Sequence, residues 1–385
     1  MRAQHAGHGG KANDLPVLRG SRARCTNALK LLLVFSVSCV TSVSSVFPAL
    51  AAQPAEFPAV TPGKKIEFPR DRGAHPEYRI EWWYATGQLE SERGTLGFQV
   101  TFFRLRNPQA EGNPSRFAPS QILFAHAALA DPAKGKLVHD QRSARALAPL
   151  VSAAAADTDV RIDDWTFARS GAAYRTVVAA NGFALDLALA PTQPPLLQGD
   201  AGFSRKGPLV SQASYYYSEP HLRVSGRVTI DGAAIAVRGV AWLDHEWSSE
   251  ALAEDAVGWD WLGLNLDDGG ALTAFRIRTR DGRTLWATAT VRAANGATRA
   301  FAGDKVALRP LRAWTSPRSA AAYPVAMEVD VDGERWRIDP LMDDQELDAR
   351  ASVGTVYWEG AVRASGARAG RGYLELTGYT ARVPF

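Results

Sequence analysis

The chain has 385 residues, 46% hydrophobic and 22% charged, the balance of an ordinary globular protein with room for a large core. Its formal net charge is +4, but Arg2, Lys11, Arg19, Arg22, Arg24 and Lys30 against Asp14 put +5 into the first 52 residues and leave −1 for the rest. The basic balance belongs to the leader, so it gives no ground for a nucleic-acid partner.

That leader, residues 1–52, reads as an export signal. A basic stretch ends at Lys30, an apolar run starts at Leu31, and Ala49-Leu50-Ala51 has the small-x-small form that signal peptidase accepts. Cleavage after Ala51 or Ala52 would make the protein periplasmic or secreted. An uncleaved anchor is the first alternative, opposed by five Ser and one Thr between Leu31 and Leu50. A lipid anchor on Cys39 is the second, opposed by Ser36 three residues before it. Cys25 and Cys39 are the only cysteines, so a cleaved chain has no disulfide, no thiolate nucleophile and no cysteine metal site.

Residues 53–74 are Pro-rich and without period, as in a linker or N-terminal arm. Beyond them, short alternating runs such as Gly97–Phe103, Leu222–Ile230 and Val325–Val331 predict strands. Asp231-Gly232, Asp281-Gly282 and Asp332-Gly333 follow or join such runs and predict hairpin turns. The Ala-rich stretch 142–156 is the one place where a helix competes with a long loop. Many short strands predict a sandwich or a barrel, and 11 Trp against 3 Met suit barrel interiors, where an indole fills space.

An internal repeat favours barrels. At an offset of 177, Trp82 matches Trp259, Tyr84 matches Trp261, Leu89 matches Leu266, Phe98 matches Phe275 and Val100 matches Ile277. The spacing predicts one barrel per copy, over residues 75–238 and 239–385.

Several stretches carry a family likeness across His75 to Phe385. They are Glu81-Trp82-Trp83-Tyr84, Phe124–Ala128 with Asp131, Tyr215–Ser218, Leu243–Trp247, Gly258–Trp261, Tyr357–Gly360 and Gly372–Tyr379. In order and spacing they resemble the AttH-like and carotenoid 1,2-hydratase (hydroxyneurosporene synthase) family, whose bacterial members are often labelled predicted secreted hydrolases. The resemblance implies an all-β fold of two tandem lipocalin-like antiparallel barrels packed side by side. It also implies that His245-x-Trp247 corresponds to a His-x-Trp pair associated with activity in the hydratase branch. The Tyr-x-Asp pair which that branch carries further along has no aligned counterpart here.

Alkene hydration needs an acid strong enough to protonate a double bond, a means of stabilising the resulting cation, and a water. A desolvated carboxylic acid can serve as the acid and indole faces as the stabiliser. Asp260 between Trp259 and Trp261 has these ingredients, but strand alternation points the acid away from both indoles. Asp244, His245, Glu246 and Trp247 form the richest polar cluster. Alternation puts His245 and Trp247 on one face, Asp244 and Glu246 on the other. The candidate catalytic residues are thus His245, Glu246, Asp244 and Asp260. Candidate substrate-binding residues are Trp247, Trp259, Trp261, Trp82, Tyr84 and Tyr216. An inert reading stands beside each: His245 as a hydrogen-bonded plug at the barrel junction, Trp82 as the plug of a barrel floor, and His126 as a satisfied interior histidine.

The chain has no Gly-x-Ser-x-Gly elbow, and its histidines lack metal-ligand spacing, so no metal and no cofactor are expected. Two functions remain open. One is an exported binding protein for an apolar or lipid-like small molecule, a carrier or accessory to an envelope system. The other is an enzyme that hydrates or hydrolyses such a molecule. A monomer is expected in either case, with any chemistry at the junction near Asp244.

Overall fold

The computed structural model describes residues 57–383, apart from 116 and 251; the leader and its candidate lipid site Cys39 lie outside the described residues. Among them there is no α-helix, only short 3-10 turns. The Ala-rich stretch is neither a helix nor one long loop. It is the end of one strand, a turn and a second strand, because alanines alternating with polar residues complete a sheet edge as readily as a helix face.

The first sheet contains β1 (Ile80–Ser91), β2 (Gly94–Arg106), β3 (Gln121–Asp131), β4 (Lys136–Arg145), β5 (Val151–Ala153), β6 (Asp159–Ile162), β7 (Trp165–Ser170), β8 (Ala173–Ala180), β9 (Phe183–Ala190), β10 (Leu196–Leu197), β11 (Phe203–Arg205), β12 (Ala213–Ile230) and β13 (Ala233–Ser248). The second contains β14 (Ala256–Leu266), β15 (Ala271–Thr279), β16 (Thr284–Arg292), β17 (Thr298–Ala302), β18 (Val306–Thr315), β19 (Ala322–Val331), β20 (Glu334–Pro340), β21 (Glu346–Ala349), β22 (Thr355–Gly366) and β23 (Gly370–Leu376). Both are antiparallel; one curls into a nearly closed barrel and the other into a half-barrel. The all-β, lipocalin-like expectation therefore holds.

The two sheets share a topology. The first strand of each, β1 or β14, lies between its second strand and its last, β13 or β23. The predicted hairpins close them: Asp231-Gly232 joins β12 to β13 and Asp332-Gly333 joins β19 to β20. Each puts both turn residues at positive φ, the requirement of a two-residue turn that matches strand twist.

Two expectations change. β13 crosses the anticipated boundary at 238/239 and stays in the first sheet to Ser248, pairing with both β1 and β12. The second sheet begins only at Ala256. The offset of 177 also fails beyond the first strand of each copy. Tyr84 pairs with Thr101 and Trp261 with Phe275, so the second strands are related by 174. Phe98 then corresponds to Leu272, and both sit in barrel cores, whereas Phe275 faces the partner barrel. Hairpins of unequal length produce the slip.

Each barrel has its own core, with Trp83, Phe102 and Trp165 in the first and Met327, Trp336 and Trp358 in the second. Side chains alternate between faces, so the other face of β1 and β13 is free to pack on the other face of β14, β22 and β23. Tyr84 meets Trp261 edge-on with ring centroids 5.2 Å apart. Gln88 Nε2 donates to the Val362 carbonyl at 2.7 Å, and Asn265 Nδ2 donates to the Ala241 carbonyl at 3.3 Å. β1 consequently reads as a nearly continuous buried run, because both its faces are covered.

Gly97 marks how closely the barrels approach. A Cβ there would lie 2.8 Å from both the Ala361 methyl and the Tyr373 hydroxyl. Gly97→Val should cost about 1–3 kcal/mol through overpacking. Urea unfolding would show it, and an unchanged midpoint would mean that the barrels do not meet at this strand.

Candidate functional site

Between the barrels lies a cavity of about 180 Å³. The first sheet lines it with Trp82, Tyr84, Phe103, Asp244 and Glu246; the second with Trp259, Trp261, Phe275, Glu359 and Glu375. The pairing registers explain the symmetry of these walls. Tyr84 pairs with Asp244 as Trp261 pairs with Glu375, so each barrel offers an acid beside its inward aromatic residue.

Asp244 is 3% exposed and accepts three hydrogen bonds: from Trp242 Nε1 at 2.6 Å, Ser218 Oγ at 2.5 Å and the Tyr216 hydroxyl at 2.7 Å. Burial raises its pKa to about 7 against these stabilising bonds, with the charge of Glu246 adding to the rise. Burial likewise lifts Glu375 to about 7, helped by the charges of Asp244 and Glu246. Glu359, opposite Glu375 on the adjoining strand, goes well above the ordinary carboxyl range through burial and the proximity of Glu375. Among the described residues neither oxygen of Glu359 has a hydrogen-bond partner; nor does the hydroxyl of Tyr84 or Tyr373. The only Lys or Arg among the described residues lining the cavity is Lys206. Its ammonium is 2.7 Å from Glu246 and lies over the rings of Tyr216 and Phe275. His126 closes part of the wall, hydrogen-bonded to the Tyr357 hydroxyl at 2.7 Å and Ser352 Oγ at 2.8 Å. Burial drives its pKa down to about 3, so the ring is neutral.

The predicted residues divide by face. Asp244, Glu246, Trp82, Tyr84, Trp259 and Trp261 converge on the cavity. Tyr216 stands just behind it, donating to Asp244 and accepting from Trp261 Nε1 at 3.1 Å. His245 and Trp247 point the other way, as alternation requires. His245 Nε2 is 2.9 Å from Glu81 Oε1, and Nδ1 is 3.2 Å from the Tyr217 hydroxyl. Trp247 stacks on His75 with ring centroids 3.8 Å apart. Asp260 is wholly buried on the opposite face from the cavity indoles. It is held by Arg276 at 2.6 Å, Arg278 at 2.9 Å and the Tyr379 hydroxyl at 2.9 Å. It is a structural ion pair and has no opening to the cavity.

Beneath the first barrel, Glu81 joins residues distant in sequence. His75 Nδ1 lies 2.7 Å from Oε1, and Arg104 Nε donates to Oε2 at 2.8 Å. The donor atoms of His75, Glu81 and His245 lie within 4.8 Å of one another. That grouping is not visible in the sequence spacing. Glu81 Oε1 sits at hydrogen-bonding distance from both imidazoles, so the residues present form a closed hydrogen-bond network. Burial opposes ionisation of Glu81, but the bonds from His245 and His75 outweigh it and hold the carboxyl below its usual range. Burial lowers the pKa of His245 despite Glu81.

Residue-by-residue reading missed Glu359, Glu375 and Lys206. A signal was present: Tyr357-x-Glu359 and Tyr373-x-Glu375 repeat one pattern on adjacent strands, with tyrosine and glutamate on a common face.

The described chain is thus a lipocalin-like pair of β-sheets enclosing an acidic, aromatic cavity between them. The AttH-like family matches residues 59–379, and the protein belongs to that family. Among solved structures, a protein assigned as AttH from Nitrosomonas europaea is 55% identical, covering 84% of this chain and 100% of that one, with a TM-score of 0.80. Kievitone hydratase from Nectria haematococca is 14% identical over 85% of this chain and 97% of its own, with a TM-score of 0.64. CghA is 14% identical over 85% and 95%, with a TM-score of 0.50. The last two share the fold. No curated protein sequence matches the chain.

Two variants test the contrast between the networks. Glu81→Gln breaks a buried charge cluster and should cost about 3–5 kcal/mol in chemical denaturation, with a loss below about 1 contradicting the assignment. Glu359 retains its proton when folded above pH 4.5, where the unfolded carboxyl has lost it, so it lowers stability progressively as pH rises. Glu359→Gln should be more stable than the native protein near about pH 8, and the gap should close toward about pH 4. A gap of equal size at both pH values would contradict a buried neutral carboxyl.

Proposed function

We propose that the protein takes an apolar, unsaturated small molecule into the inter-barrel cavity and adds water across its double bond. One observation carries this reading: carboxyls titrating near neutrality open onto a cavity walled by Trp82, Trp259 and Trp261. The Glu375 carboxyl delivers its proton to an alkene carbon, and Glu359 beside it favours the protonated state of the pair. The indole faces stabilise the carbocation. Water bonds to the cationic carbon and gives up a proton to the Asp244 carboxylate. Proton exchange through partly exposed Lys206 and its partner Glu246 restores both acids.

His245 acts in this scheme as a positioning residue. It pairs with Trp83 across β1 and β13, and its bond to Glu81 fixes the register that aims Trp82 and Asp244 into the cavity. The shared fold with a protein named as a hydratase supports the reaction class. The expected leader supports an exported protein that meets envelope lipids or similar molecules.

The test is incubation of the protein with apolar extracts of its own envelope in ¹⁸O-labelled water, followed by mass spectrometry. We expect a product heavier by one labelled water. Glu375→Gln should lose about a hundredfold or more in rate while still binding the substrate. An intact co-purifying ligand that survives incubation unaltered would make the protein a carrier and overturn hydration.

A further inference from the structure

We propose that the inter-barrel cavity selects an organic cation, an apolar group bearing a positively charged nitrogen, over a neutral molecule of the same shape. The proposal rests on the preceding reading only in taking the cavity as the ligand site.

Three features carry it. Five carboxyls line one cavity: Asp244 and Glu246 from β13, the exposed Glu250 just beyond that strand, Glu359 from β22 and Glu375 from β23. Lys206 is the only Lys or Arg among the described lining residues, and it is engaged with Glu246. Glu359 is 2% exposed and lines the cavity, and neither of its oxygens meets a well-formed hydrogen bond, although the Tyr84 and Tyr357 hydroxyls stand close enough to oppose the rise in its pKa. Such a carboxyl in an apolar wall costs stability unless something compensates it. A cationic centre would do so.

The walls supply the other half of the recognition. Trp82, Trp259, Trp261 and Phe275 line the space with aromatic rings, whose faces attract a cation through their quadrupoles. Two tyrosines add phenol oxygens without partners, Tyr84 from β1 and Tyr373 from β23, although Tyr373 is not itself part of the lining. A neutral ligand would use the rings but leave the carboxyls uncompensated. A quaternary ammonium uses both, and its tetrahedral shell of methyl groups matches indole faces better than a strongly hydrated primary amine does.

Binding is then coupled to protons. The groups around Glu359 are Glu375 and Tyr373 on β23, Tyr84 on β1 and Tyr357 on its own strand; Asp244 and Glu246 on β13, Glu250 beyond it, neutral His126 on β3 and Lys206 line the same cavity. Of these only Lys206 brings a positive charge, and it is paired with Glu246. Near neutrality the cavity limits its own charge by keeping carboxyls protonated. A bound cation favours their ionised forms, so it expels protons, and it binds better as pH rises.

The probes are benzyltrimethylammonium, whose charge does not titrate, and its neutral isostere neopentylbenzene, followed by tryptophan fluorescence and calorimetry. We expect the cation to bind about tenfold or more tightly near about pH 8 and to lose that advantage toward about pH 5.5. Near pH 7, calorimetry in buffers of different ionisation enthalpy should show proton release. Glu359→Gln and Glu375→Gln should each reduce cation affinity severalfold while retaining the neutral isostere, whose binding reports an intact cavity. Equal affinities, or preference for the neutral probe, would overturn cation selection and leave the cavity as a ligand site. Binding of neither probe would overturn the cavity reading as well.

Discussion

The outer face of β1 packs against the second barrel, and most of the molecule's chemistry depends on that burial. A strand in a simple lipocalin-like barrel has one face in the lumen and one in water. Here Trp83, Ala85 and Leu89 enter the first core, while Trp82 and Tyr84 face the neighbouring barrel. With both faces dry, every polar group placed on β1, β13, β22 or β23 has to find a partner or carry a desolvation cost. Gln88 and Asn265 meet the requirement with backbone carbonyls across the interface. Glu359 does not, and it lies where the barrels part to leave a cavity.

Alternation separates two electrostatic regimes along the same strands. On the lumen side, Glu81 has Arg104, His75 and His245 around it and remains charged. On the interface side, Asp244, Glu359 and Glu375 share a cavity with little positive charge, and their proton affinities rise. One residue step along β13 therefore moves from a structural histidine at 245 to a carboxyl at 244 poised near neutrality. The first network needs rigidity, since losing a member strands a buried charge. The second holds its protons up to near neutrality and carries the desolvation cost of its buried carboxyls.

The strands, the hairpins, the family and the opposition of faces at 244–247 and 259–261 were legible in the sequence, because period-2 patterning and Asp-Gly turns are local signals. The boundary at 238/239 was not. The family motif at Leu243–Trp247 looked like the start of a second unit, whereas only its pairing with β1 and β12 reveals it as the closing strand of the first. Tertiary pairing also decided which polar cluster mattered. His245 looked catalytic beside two acids, but its partners are Glu81 and Tyr217, brought in from other strands. Asp260 looked active between two indoles until Arg276 and Arg278 arrived from β15. Glu359 and Glu375 lie far from that cluster in the chain, and register rather than proximity brings them to it.

The duplication then gains a chemical meaning. With Tyr84 equivalent to Trp261, Asp244 is the counterpart of Glu375, and Ser218, its neighbour on β12, is the counterpart of Glu359 on β22. The two halves began from corresponding positions and diverged at that neighbour. Ser218 donates to Asp244 and stabilises its ionised form; Glu359 opposes Glu375 and disfavours a second negative charge. The same strand position thus supports the ionised carboxyl in one barrel and carries a second acid in the other, while burial brings both Asp244 and Glu375 to about 7. Two buried carboxyls, each beside a different cross-strand neighbour, line one cavity from opposite barrels, and neither barrel could form that cavity alone.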